Sequence, residues 1–254
     1  MTDLAITAEG LTKHYGDEAA VSELSLSVPE GEVYGFLGPN GAGKTTTMRL
    51  LTGLTRPTAG SATVAGVGVT DRASLTERIG YLPADPPVFD ELTGREHLRY
   101  VARLHELPDH DAAGRIDDLL ARFDLAADAD RRIETYSTGM EKKIGVIAAI
   151  IHDPAVVFLD EPTSGLDPRA ARTMRDTIAA FADRDVTVLL SSHVLPVVDE
   201  LADTVGVIDD GELVAEDTPE ALKRRVRTDD EADLETAFLD VTREDDVTSN
   251  PVEA

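Results

Sequence analysis

The sequence predicts an α/β fold: a core built on a mainly parallel sheet, an antiparallel β subdomain beside it, and a helical subdomain inserted into the core. Three observations carry this reading. Two continuous apolar runs, "AVVFLD" at 155–160 and "VTVLLSS" at 186–192, have the pattern of strands covered on both faces. The first thirty residues are rich in alternating apolar positions and end in turn signals. From Thr93 to about Asp153 the apolar spacing is mostly helical.

The elements follow in order. "LAITAEGLTKHYG" and "AVSELSLSVPEG" read as strands of the antiparallel piece, and "EVYGFLGPNG" as a strand running into a glycine-rich turn. "KTTTMRLLTGL" has helical character and stops near Gly53, and "GSATVAGVGV" is another short strand. In the helical region Leu98, Val101, Ala102 and His105 share one face, and Met140, Ile144, Ile147 and Ile151 share another. Met174, Ile178 and Phe181 mark the helix between the two buried strands, and "TVGVIDDGELVAED" reads as a hairpin around Asp210-Gly211. The expected division is one domain over residues 1–220, with its helical subdomain at about 85–153, and a charged extension over 221–254 that is partly helical and then mobile.

Composition narrows the function. The longest apolar run, "IGVIAAII", falls well short of the ~20 residues that a membrane helix needs. The N-terminal residues lack the pattern of a signal peptide, and the chain has no cysteine, which excludes disulfides and thiolate metal sites and suits a cytoplasmic protein. The net charge of −25 disfavours nucleic acid, whose binding needs a basic stripe. Acidic residues are spread along the whole chain, an expected solubility strategy for a halophile's salt-rich cytoplasm, where self-repulsion is screened.

The chemistry is concentrated in two motifs. "GPNGAGKTT", Gly38, Pro39, Asn40, Gly41, Ala42, Gly43, Lys44, Thr45 and Thr46, matches G-x-x-x-x-G-K-[ST] between a strand and a helix, the context that a P-loop requires. Its glycines let backbone N–H groups turn toward phosphates, Lys44 supplies charge to the β- and γ-phosphates, and the Thr45 hydroxyl is a ligand for Mg²⁺. The core is therefore expected to be of the P-loop NTPase type. In "VVFLDEP" at 156–162, Asp160 ends a buried strand, where a carboxylate is costly unless paired, and a metal ion would account for it. Adjacent strand side chains point oppositely, so Glu161 is free to face the γ-phosphate and polarise the attacking water. A third stretch, "YSTGMEKKIG" at 136–145, opens like a helix whose N-terminus is a natural anion site, with Ser137 and Thr138 as caps and Gly139 allowing close approach.

These pieces in this order resemble the nucleotide-binding subunit of ABC transporters, over about residues 4–220. "YSTGM" stands where that family has its signature loop, "SGLD" at 164–167 fits its D-loop, and His193 in "SSHVL" fits its switch histidine. "ADLETAFLDVT" near the C-terminus is similar to the tail of the exporter (ABC-2) branch. The resemblance implies an ATPase that binds ATP and Mg²⁺, dimerises head to tail with a second copy or a homologous subunit, and drives a separate integral membrane permease from the cytoplasmic face, in the direction of export. It implies that Tyr15 stacks on adenine, that Thr45 and Asp160 hold the metal, that Glu161 and His193 are catalytic, and that Ser137, Thr138 and Gly139 hold the partner's ATP.

Two departures stand out. Thr138 and Met140 replace the commoner Gly and Gln of the signature loop, and Met140 cannot hydrogen-bond a ribose. Ala84 occupies the position where the family usually carries a metal-reaching Gln, and Asp85 is the nearest substitute, through a water. The alternatives are a soluble ATPase of the same type that remodels nucleic acid or ribosomes, which the charge and the single domain oppose, and a non-hydrolysing nucleotide switch, which the presence of Glu161 and His193 opposes.

Overall fold

The computed structural model describes residues 3–182, 186–225, 234–239 and 242. The first layer is a four-stranded antiparallel sheet of β1 (Leu4–Tyr15), β2 (Glu18–Pro29), β4 (Ala59–Val64) and β5 (Val67–Gly68), in the order β2-β1-β4-β5. "GSATVAGVGV" is thus two strands, because Ala65 and Gly66 both take positive φ and turn the chain back. The central layer has six strands: β3 (Val33–Leu37), β6 (Ile79–Leu82), β7 (Val156–Asp160), β8 (Thr187–Ser192), β9 (Thr204–Asp209) and β10 (Glu212–Asp217). Their order is β10-β9-β3-β8-β7-β6. All neighbours are parallel except the β9–β10 hairpin, in which Asp210 (φ 43) and Gly211 (φ 83) supply the two positive-φ positions that a tight hairpin turn needs.

The central strands show why their sequence is apolar throughout. Val33 and Leu37 of β3, Val157 and Leu159 of β7, and Val188 and Leu190 of β8 enter one hydrophobic cluster. The intervening Tyr34, Phe36, Val156, Phe158 and Leu189 enter the other. The second cluster is closed by the antiparallel sheet and by α1 (Lys44–Leu51), through Leu11, Leu24, Met48 and Leu51. A strand with period-two side chains and cover on both faces has no solvent side on which to place polar residues.

After α2 (Arg72–Thr76) and β6 comes the helical region: α3 (Gly94–Leu104), α4 (Asp109–Arg122), a 3₁₀ turn at Ile133–Thr135 and α5 (Thr138–Ile150). Thr93 starts α3 with a reciprocal capping box to Glu96, as a Thr followed three residues on by Glu predicts. Leu98 and Ala102 of α3, Ile116 and Leu120 of α4, and Ile144 and Ile147 of α5 bury the facing stripes. α6 (Pro168–Ala182) and α7 (Leu195–Leu201) cover the same side of the sheet through Met174, Ile178 and Val198. Beyond residue 220 the packing continues: Leu222 of α8 (Pro219–Arg225), Leu234 and Ala237 join this cluster. The "REDDVTSNPVEA" terminus, expected to be mobile, lies outside the described residues.

Candidate active site

The parallel strands β3, β7 and β8 end together, and the loops that leave them form one cleft. β3 delivers the glycine-rich loop. Gly41 and Gly43 have φ of 90° and 104°, which L side chains rarely adopt, and a Cβ at Gly38 would collide with the Ile208 carbonyl. α1 then begins at Lys44, with Gly43 at its N-cap. Lys44 is 7 % exposed, and its Nζ donates to the carbonyls of Gly38 (2.7 Å) and Pro39 (3.0 Å). Burial pushes the Lys44 pKa down, against the charges of Glu161 and Asp160, which push it up.

β7 delivers the carboxylates. Asp160 is 1 % exposed and fully engaged: it accepts from Thr45 Oγ1 on Oδ2 (2.9 Å) and from Ser191 Oγ on Oδ1 (2.5 Å). Glu161 lies one residue past the end of β7, and its backbone rather than strand alternation sets its direction. It takes φ 51, in the left-handed region that a glutamate rarely adopts, and its N–H lies 3.1 Å from Ser191 Oγ. Its carboxylate is largely buried, with Oε1 3.9 Å from Lys44 Nζ and Oε2 2.9 Å from Nδ1 of His193. The imidazole is at ion-pair distance without hydrogen-bond alignment, and it is half exposed. His193 sits just past β8, placed by the Ser192 hydroxyl, which accepts from the N–H of Val194.

The cleft is lined by Pro39, Asn40, Gly41, Gly43, Lys44, Thr45, Thr46 and Glu161, together with Glu18–Ala20 and the Asp210–Gly211 turn. The last two groups were not expected from the sequence. The β9–β10 turn is drawn in by backbone bonds, Gly211 N–H to Ala42 O (3.0 Å) and Ser22 N–H to Gly211 O (2.9 Å), and nothing in the residue types announces them. Tyr15, expected to stack on adenine, ends β1 paired with Glu18; its ring is half exposed, with the Lys13 ammonium 5.1 Å from the centroid.

Ser137, Thr138 and Gly139 are not among the lining residues. They form the start of α5, with Ser137 and Thr138 exposed and Gly139 half-buried, and Ser137 Oγ accepts from the Met140 N–H at a long 3.4 Å. Gly139 faces the "SGLD" segment, since a Cβ there would meet Ala170 at 3.3 Å and Leu166 at 3.8 Å. Asp167 of that segment caps α6 by accepting from the N–H groups of Arg169 and Ala170 (2.9 and 3.0 Å). Ala84 and Asp85 are exposed and also lie outside the cleft lining; the negative charge of Asp85 acts instead on Lys142.

Lys142 is the functional-region residue that sequence reasoning passed over. It is 5 % exposed, and its Nζ donates to the carbonyls of Glu161 (2.8 Å) and Ser164 (2.6 Å). A signal was available: the chain has only five lysines, and this one lies in the helix that follows "YSTGM".

A phosphate cradle, a buried aspartate bonded to the cradle's threonine, and a glutamate between a lysine and a histidine together suit nucleotide triphosphate hydrolysis. Oxygen donors of this kind, one hydroxyl and one carboxylate, also suit Mg²⁺, which takes few protein ligands and keeps waters and phosphates.

Comparison with known proteins agrees. Residues 21–164 match the family model described as ABC transporter. The chain is 44 % identical over 224 residues to the daunorubicin resistance ATP-binding protein DrrA3 of Streptomyces coeruleorubidus, covering 88 % of this chain and 71 % of that one. It is 38 % identical over 224 residues to the bacitracin transport ATP-binding protein BcrA of Bacillus licheniformis, covering 87 % and 72 %. A solved ATP-binding subunit of an ABC transporter superposes with a TM-score of 0.85 at 26 % identity, covering 94 % of this chain and 99 % of that one. ATP-binding subunits of this type hydrolyse ATP, pair around two nucleotides and drive a separate membrane permease. The chain belongs to the ABC transporter family and is one of its ATP-hydrolysing, ATP-binding subunits.

Proposed function

We propose that Glu161 is the group that activates water for hydrolysis of ATP bound at Gly38–Thr46. The observation that carries this is the setting of its carboxylate, largely buried between Lys44 and His193 at the mouth of the phosphate loop. A carboxylate held there accepts a hydrogen bond from water in line with the γ-phosphate. Lys44 and the loop N–H groups stabilise the charge that develops on the phosphate oxygens, and His193 orients Glu161 and contacts the γ-phosphate. Mg²⁺, held by Thr45 and Asp160, would supply charge neutralisation at the β- and γ-phosphates when bound. Tyr15 stacks on the adenine with the ring face opposite the Lys13 ammonium.

The partner's ATP is covered by Ser137, Thr138 and Gly139, at a helix N-terminus that is not part of the lining of the chain's own cleft. The second ATP-binding subunit is another copy of this chain or a homologue, and the permease is an integral membrane chain. No helix among the described residues is long and apolar enough to cross a membrane. In this reading the protein works at the cytoplasmic face of the membrane, where the permease presents its docking surface. Export is the direction favoured by relatives named for drug resistance and bacitracin transport; the cargo is chosen by the permease.

Glu161→Gln tests the reading. ATPase activity should fall on the order of a hundredfold or more, while ATP binding is retained. A variant that hydrolyses ATP at the original rate would remove Glu161 from the mechanism.

A further inference from the structure

Lysines are scarce in this chain, five among 254 residues, and two of them are buried: Lys44 in the phosphate loop and Lys142 on α5. A buried ammonium is costly unless its donors are used, and burial pushes the Lys142 pKa down. Three carboxylates oppose that shift, Glu161 first, then Asp85 and Asp160. The ammonium forms no ion pair within 4 Å with any of them among the described residues; its hydrogen bonds go to two backbone carbonyls, Glu161 O at 2.8 Å and Ser164 O at 2.6 Å. Charge-assisted bonds of this length are about twice as strong as neutral ones.

What those carbonyls belong to gives the arrangement its meaning. Glu161 leaves β7 with φ 51, a left-handed backbone that an L residue holds only when its surroundings enforce it. Its N–H is held on one side by Ser191, through the carbonyl at 3.2 Å and the hydroxyl at 3.1 Å. Its carbonyl is held on the other side by Lys142. Ser164, three residues on, closes a turn onto the same carbonyl, with its N–H 3.2 Å from Glu161 O. Lys142 therefore bridges both ends of the 161–164 turn.

We propose that Lys142 is a positioning residue for hydrolysis: its ammonium locks the strained 161–164 turn and so sets the Glu161 carboxylate in the cleft. The inference rests on the reading of Glu161 as the water-activating group. It has a consequence for the paired subunits. Lys142 is five residues from Ser137, the N-cap of the same helix, so α5 joins the segment assigned to the partner's nucleotide to the turn that carries this chain's own glutamate. A methionine at 142 has similar length and no donor. The turn itself survives its loss, because the Ser164 N–H still bonds Glu161 O, so the effect falls on position rather than on folding.

The test compares ATP hydrolysis by Lys142→Met, Lys142→Arg, Glu161→Gln and Lys142→Met combined with Glu161→Gln. Lys142→Met should lower kcat about tenfold or more, with KM for ATP within about twofold. Lys142→Arg, which keeps charge and donors, should recover part of the loss. In the Glu161→Gln background the residual rate should not fall further when Lys142→Met is added, because the group being positioned is already disabled. An unchanged kcat in Lys142→Met, or the same fold-loss in both backgrounds, overturns the proposal. If Lys142→Met does not fold, Lys142→Gln, which retains an N–H donor, takes its place and should give an intermediate kcat under the same criteria. Full activity in Glu161→Gln alone would instead overturn the reading of Glu161, a separate outcome.

Discussion

The Thr45 hydroxyl donates to Asp160 Oδ2 over 2.9 Å, joining the first turn of α1 to the end of β7 across 115 residues of chain. Both groups are oxygen donors suited to one small hard cation, and the second Asp160 oxygen is already bonded to Ser191. Asp160→Asn keeps the shape and removes the charge. Its ATPase rate should fall on the order of a hundredfold, and the Mg²⁺ concentration for half-maximal rate should rise. A Mg²⁺ titration of the variant that overlays the wild-type curve would exclude Asp160 as a ligand.

Blocking hydrolysis should trap the closed pair of subunits. With ATP and Mg²⁺, Glu161→Gln should scatter light as a dimer, and with ADP as a monomer. Adding Ser137→Arg should abolish the dimer while ATP binding persists, because a bulky cation fills the space meant for the partner's γ-phosphate. If Ser137 only caps α5, the double variant loses about 1 kcal/mol of stability and still dimerises.

A histidine pair sets an acid limit on stability. His105 and His152 stack with ring centroids 3.7 Å apart and planes 4° from parallel, and His152 Nε2 lies 2.9 Å from the Ile79 carbonyl. Burial, and then the neighbouring His105, push the His152 pKa down to about 4, with the Ile79 carbonyl opposing. Burial also pushes His105 down. An unfolded histidine titrates near 6.5, so between about 4 and about 6.5 the unfolded chain binds more protons than the folded one. Stability from this pair is complete above about 6.5 and is lost as pH falls toward 4. The Tm of wild type should drop more steeply over that range than the Tm of His152→Phe; equal slopes would show that the pair is not titrating.

Net charge makes a prediction about salt. At −25 the folded chain repels itself, and ions screen that repulsion. The Tm should be higher in molar KCl than in dilute buffer. An equal or lower Tm in KCl would remove the halophile expectation drawn from composition.

Much of this protein is legible in its sequence because its chemistry is local there. The phosphate loop is nine consecutive residues whose glycines, lysine and threonine each have one physical task, and its neighbours β3 and α1 are short-range patterns. The strand that ends in Asp160 declares itself by being apolar on both faces, since every side chain of β7 from Val156 to Leu159 is buried. The Asp210-Gly211 turn and the stripe on α5 follow from the same short-range rules.

Tertiary structure alone decided what those local pieces face. No spacing rule brings the β9–β10 turn to the rim of the phosphate loop, because backbone groups of Gly211, Ala42 and Ser22 make that contact and every residue type carries the same backbone groups. Nor does sequence distinguish Lys142 from the neighbouring Lys143: one residue along a helix rotates the side chain by about 100°, enough to bury the first against the Glu161 turn. Asp85, two residues beyond Pro83 in an exposed loop, is not among the residues that line the cleft, and its charge acts on Lys142, a relation that spacing along the chain does not give. Side-chain chemistry is written residue by residue, whereas long-range pairing depends on which strand ends the sheet order brings together, and that order, β10-β9-β3-β8-β7-β6, is a property of the packed core.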